Sequence, residues 1–156
     1  MLRWAIVISA AAAIAVPAAT LAATTAKHTN AQPQITRVVV APADEYFGPT
    51  KMSVLGIRNT IQDTQIRASG DPDHMTARYW GALSLTNAAL ADWAAKYPHD
   101  LWIPRNALLM SRLFDHMHTA DGDAAANACR QILFKNFATT WYAREARRDL
   151  VVAGKQ

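Results

Sequence analysis

The chain has 156 residues, a formal net charge of +4 at pH 7, an apolar fraction of 51% that alanine inflates, and one cysteine. The apolar content and the five tryptophans exclude general disorder, and a lone cysteine excludes an internal disulfide, so the fold must rest on packing. The basic excess falls short of the concentrated Lys/Arg stripe of a nucleic-acid binder, although it suits anionic proteins or lipid headgroups.

Met1-Leu2-Arg3 supplies a positive start, Trp4 to Val16 is apolar apart from Ser9, and Pro17 ends the run. Thr20-Leu21-Ala22 and Thr24-Thr25-Ala26 then place small side chains where signal peptidase cuts. This pattern predicts a signal peptide over residues 1–26 and a periplasmic location for the remainder of the chain. The alternative is an uncleaved leader anchoring the chain in the inner membrane, for which the apolar run is short. No cysteine follows the run and no paired arginines precede it, so lipoprotein and twin-arginine routes have no support.

Residues 27–48 read as a flexible or extended linker. Ile35 to Val40 is β-branched and suits a short extended stretch, while Pro42 and Gly48-Pro49 interrupt regular structure.

From residue 49 to 153 the spacing predicts an all-α domain of about five helices. The first runs from Pro49 or Thr50 to Ser69-Gly70, with Val54, Ile57 and Ile61 on its apolar face beside Met52, Leu55 and Ile66. The second starts at a cap on Asp71, with Pro72 and Asp73 in its first turn, and runs to Lys96. Met75, Tyr79, Leu83, Leu90 and Trp93 follow helical spacing there, and many alanines leave other faces open to close neighbours. Tyr97-Pro98-His99-Asp100 is a turn. The third helix, Leu101 to His118, carries a stripe of Ile103, Ala107, Met110, Phe114 and Met117 widened by Leu108, Leu109 and Leu113. After a break at Ala120–Asp123, a fourth helix covers Ala124 to Phe137, with Ala125, Ala128, Cys129, Ile132 and Leu133. Cys129 on that stripe reads as a buried, inert thiol. A fifth helix, capped by Thr140, carries Trp141, Tyr142, Ala146 and Leu150.

Two stretches match at a spacing of 40 residues: Trp93 with Leu133, Tyr97 with Phe137, and Trp102 with Tyr142. An aromatic side chain at a helix end plugs the gap above the next helix, and each pair keeps one apolar side for its neighbour. The segments "KYPHDLWIPRNALLMSRLF" and "DGDAAANACRQILFKNFATTWYAREARRDL" resemble the tetratricopeptide-like repeats of bacterial envelope proteins. The relevant types are the barrel-assembly lipoprotein and the periplasmic cell-division coordinator. The resemblance rests on Lys96-Tyr97-Pro98 at a helix end and Gly122-Asp123 before a helix, and spans about residues 80–150. It implies stacked antiparallel helical hairpins; a simple five-helix bundle is the alternative. Ala138 stands where such repeats usually carry proline, and the unit is longer than the roughly 34 residues of a standard repeat.

Chemistry-bearing groups are sparse. His116 and His118 are two apart, a spacing that points two helical side chains in different directions, whereas one metal wants positions i and i+4. Asp121-Gly122-Asp123 is a fragment of a calcium loop without its remaining ligands, better read as helix capping. Asp71, Asp73 and His74 also sit where a helix start needs them, and Asp63 and Asp92 read as solvent-facing charges within helices. Ser53, Ser84 and Ser111 lie on predicted helices without nucleophile-elbow glycines. No catalytic residues, metal ligands or cofactor are assigned. The expectation is a non-catalytic periplasmic adaptor that binds an envelope protein or peptide, with no nucleic acid and with membrane contact only through the leader. Trp102, Arg105, Arg112, Arg144 and Arg148 are the expected partner-binding residues: Arg105 and Arg112 repeat every two turns, and Arg144 and Arg148 lie one turn apart with Glu145 and Asp149 interleaved. The competing expectation is an envelope hydrolase or metal-binding protein using His116 and His118.

Overall fold

A computed structural model describes residues 39–71 and 74–154. The leader expected over 1–26, most of the linker, and Pro72 and Asp73 lie outside these residues. The described chain runs β1 (Tyr46–Phe47), β2 (Met52–Ser53), α1 (Val54–Gly70), α2 (Met75–Lys96), α3 (Ile103–Asp115), α4 (Ala120–Asn136) and α5 (Trp141–Val152). The all-α expectation holds, and no described helix is long and apolar enough to cross a membrane.

The hairpin was not foreseen. β1 and β2 pair antiparallel, Tyr46 opposite Ser53 and Phe47 opposite Met52. Gly48 at φ +68° and Lys51 at φ +51° turn the chain, closed by the Lys51 N–H donating to the Gly48 carbonyl at 3.2 Å. Pro49 therefore belongs to this turn, and the first helix starts at Val54 rather than at residue 49 or 50. Ser53 caps it, accepting from the Gly56 N–H at 3.1 Å.

The hairpin is bound to α2 by one side chain and one close approach. Phe47 is fully buried, stacked on Trp93 with ring centroids 5.9 Å apart and edge-on to Tyr97 at 6.1 Å. Burying such a ring is worth about 2–3 kcal/mol, with the aromatic geometry adding about 1. The Gly48 N–H donates to Asp92 Oδ2 at 2.9 Å, and a Cβ on Gly48 would lie 2.7 Å from the Ala89 Cα. Asp92 is thus a docking group rather than a solvent-facing charge. The chain expected to be linker as far as residue 48 is fixed to the helices from Ala41 onward, since the Ala41 N–H donates to Asp100 at 2.9 Å.

Other helix ends shift for local reasons. α2 begins at Met75 after His74, whose side chain makes no capping bond. Asp71 ends α1 and accepts from His74 Nδ1 at 2.6 Å and Arg78 at 2.9 Å. The bond from His74 holds the Asp71 carboxyl below its ordinary range. α3 stops at Asp115, and the chain reverses through His118 at φ +52°. α4 starts four residues earlier than expected because Thr119 is its cap, accepting from the Gly122 N–H at 3.1 Å. Asp121 and Asp123 fall in its first turn, where the helix dipole favours negative charge.

The core follows the expected stripes. Ile57 and Ile61 of α1, Leu83, Leu90 and Trp93 of α2, the whole Ile103–Met117 stripe, Cys129 and Leu133 of α4, and Ala146 of α5 are buried in one cluster. Every substantial helix contact joins helices that are adjacent or next but one in the chain, and α3 contacts all four others.

Candidate functional site

The site is built where the turn before α3 meets the start of α1. Tyr97 ends α2, its N–H bonded to the Trp93 carbonyl at 2.8 Å, and the Asp100 N–H returns to the Tyr97 carbonyl at 3.0 Å. That turn carries the Asp100 carboxylate inward, fully buried. Its Oδ2 accepts from the Trp93 indole N–H at 3.1 Å and from the Ala41 N–H at 2.9 Å; Oδ1 accepts from the Trp102 N–H at 3.0 Å. One carboxylate thereby fixes the segment before β1, the core of α2 and the start of α3, and such bonds are what a buried charge requires if it is to be tolerated. The segment is fastened again by Glu45, which accepts from the Tyr97 hydroxyl and faces Lys96 at 3.7 Å. The bond to Glu45 raises the Tyr97 hydroxyl above its ordinary pKa.

With Asp100 held, Trp102 projects outward, 48% exposed despite its size. Together with Val40, Ala41, Leu55, Arg58 and Asn106 it lines an open apolar groove of about 230 Å³. Leu55 is 57% exposed, and the Arg58 guanidinium lies over the Trp102 ring, 5.8 Å from its centroid. The cation–π contact holds the indole in place at the groove wall.

Of the expected partner-binding residues, Trp102 is at this groove and Arg105 stands one helical turn beyond it, exposed. The others are elsewhere. Arg112 is at the far end of α3, its fork donating to both Asp149 oxygens at 2.7 and 3.1 Å. That bond raises the Arg112 pKa, and the residue is a tie between α3 and α5 rather than a free contact. Arg144 donates to the Thr139 carbonyl at 2.8 Å, and Arg148 pairs with Glu145. The five residues do not form one surface. Arg58, Leu55 and Asp100 were missed; the local signal for Arg58 was only its place three residues after Leu55 on one face of α1.

His116 and His118 are exposed beyond the end of α3, and no group of three or more His, Cys, Asp or Glu suited to a metal occurs among the described residues. Ser53 is a cap, and Ser84 and Ser111 bond back to the carbonyls of Gly81 and Leu108 in their own helices. Cys129 is buried as expected, its thiol donating to Asn87 Oδ1 at 3.1 Å, and burial pushes its pKa up to about 12. No protein-family model, curated protein or solved structure matches the chain.

Proposed function

We propose that this protein is a non-catalytic helical-repeat adaptor of the bacterial cell envelope, exported by its leader, that binds a protein or peptide. The observation that carries the reading is the groove at Trp102, where a large aromatic ring and Leu55 are held exposed around an apolar hollow. A rigidly placed, half-exposed tryptophan beside an arginine is the composition of an interface anchor.

Stacked hairpins of the tetratricopeptide-like kind are favoured over a closed bundle by two features. The substantial helix contacts among the described residues run to first and second neighbours in the chain, as in an array that grows in one direction. The 40-residue repeat also recurs in geometry: Tyr97 and Phe137 both end helices with N–H bonds to the buried Trp93 and Leu133, and the Asp100 and Thr140 N–H groups bond back to Tyr97 and Phe137 at 3.0 and 2.9 Å.

In-cell crosslinking tests the binding reading. A photoreactive residue at position 55 is expected to capture a partner that Trp102→Ala abolishes, while one at Ile66, exposed elsewhere on α1, does not. Equal capture at both positions, or none at 55, refutes it. Osmotic-shock fractionation tests the location: a shortened chain in the periplasmic fraction is expected, and a full-length chain in the cytosol refutes export.

A further inference from the structure

We propose that the Trp102 groove takes an extended apolar peptide segment carrying an Asp or Glu side chain, with the carboxylate seated on the Arg58 guanidinium; this rests on the peptide-binding reading above. The volume of about 230 Å³ lies below the roughly 300–1,000 Å³ of small-molecule and cofactor sites. It suits one or two side chains of a segment that continues beyond the groove on either side. Val40, Leu55 and Trp102 supply apolar contact for an aliphatic or aromatic residue.

The groove is lined by one arginine and one carboxylate, Arg58 and the buried Asp100, and of these two only Arg58 lacks a hydrogen-bonding partner among the described residues. Arg58 has no carboxylate within 4.0 Å among the described residues, and its Nε–H is buried without an acceptor. The guanidinium carbon lies 5.8 Å from the Trp102 ring centroid, and a carboxylate would be received by the terminal N–H groups, which donate in the guanidinium plane. The acids nearby do not pair with Arg58. Asp100 is saturated by three N–H donors, Glu45 is engaged by Tyr97 and Lys96, and Asp44 is not among the lining residues. Arg105 adds a second exposed positive charge, also without an ion pair among the described residues. An acidic partner is attracted by both arginines, and a basic one is repelled.

The test uses the full chain and two pools of fluorescein-labelled, C-terminally amidated apolar hexapeptides, one with a central Glu and one with a central Lys. Fluorescence anisotropy is expected to give about tenfold tighter binding of the Glu pool, a margin that Arg58→Gln removes, as loss of one charge-assisted hydrogen bond predicts. Leu55→Asp, which removes apolar contact and adds a negative charge at an exposed position, is expected to weaken both pools and the Glu pool the more, so that the Glu preference shrinks. Equal binding of both pools that Trp102→Ala abolishes overturns the charge assignment and leaves the peptide-binding reading standing. A Glu preference that survives Arg58→Gln overturns the role of Arg58. No binding by either pool, or binding indifferent to Trp102→Ala, removes both.

Discussion

Asp100→Ala should be among the most damaging single changes outside the apolar core. The wild-type carboxylate is fully buried and receives three N–H donors, from Trp93, Ala41 and Trp102. The indole bond is buried, and losing it leaves a donor unmet at a cost of about 2 kcal/mol; the two partly buried backbone donors add about 0.5 each, for about 3 kcal/mol in all. At about 4 °C per kcal/mol for a domain of this size, the midpoint of thermal unfolding falls by about 12 °C. Asp100→Asn keeps one oxygen, which can still serve Trp93 and Ala41 but presents an amide N–H to the Trp102 N–H, so it should cost about 1–2 kcal/mol. Asp44→Ala, at an exposed position, should change stability by no more than about 0.5 kcal/mol. Circular dichroism melts of the four proteins supply the measurement. An alanine variant within about 2 °C of wild type, or an asparagine variant less stable than it, refutes the reasoning.

Gly48→Ala combines φ +68° with a Cβ 2.7 Å from the Ala89 Cα, and should cost at least about 3 kcal/mol in urea unfolding. Gly154→Ala has φ +66° and nothing within 4 Å, so it should cost only about 1–2 kcal/mol; similar losses at both sites would deny the collision with α2. The Cys129 thiol, with its pKa raised to about 12, is almost wholly protonated at pH 8, and Ellman's reagent should react with it only at the rate of unfolding. Fast labelling of the folded chain would show the side chain to be accessible. Arg130 is buried against Asp115 and Asn127, so Arg130→Ala should destabilise by about 3 kcal/mol and Arg130→Met by less, because methionine refills the space without a charge. Denaturant midpoints in the reverse order would contradict that account.

The parts of the fold legible in the sequence were those fixed by periodicity. Ile103, Ala107, Met110, Phe114 and Met117 could be placed on one face because each lies three or four residues from the next, and all are buried. The fifth helix could be started at Thr140 because a cap acts within its own first turn, on the Ala143 N–H at 3.3 Å. Features that depend on distant partners were not legible. Phe47 is one apolar residue beside a Gly-Pro pair, and its burial is decided by Trp93, 46 positions later. Asp100 carries every local mark of a turn residue, and its role comes from Ala41 and Trp93. Arg112 looked like half of a two-turn basic repeat until Asp149, 37 residues away, claimed both edges of its guanidinium. At the groove, Trp102 was recognisable as a large side chain next to a proline-started helix, whereas Arg58 and Leu55 reach it only through the crossing of α1 with α3.

The central position of α3 bears on how the molecule comes apart. Both α1 and α5 pack on that single thirteen-residue segment, so opening α1 with the hairpin uncovers the flanks of α2 and α3, opening α5 uncovers those of α3 and α4, and the remaining helices stay packed in either case. Amide protons should accordingly exchange slowest between Ala107 and Phe114 and faster in α1 and α5. Damage at the middle has no boundary to stop it, and damage at the rims does.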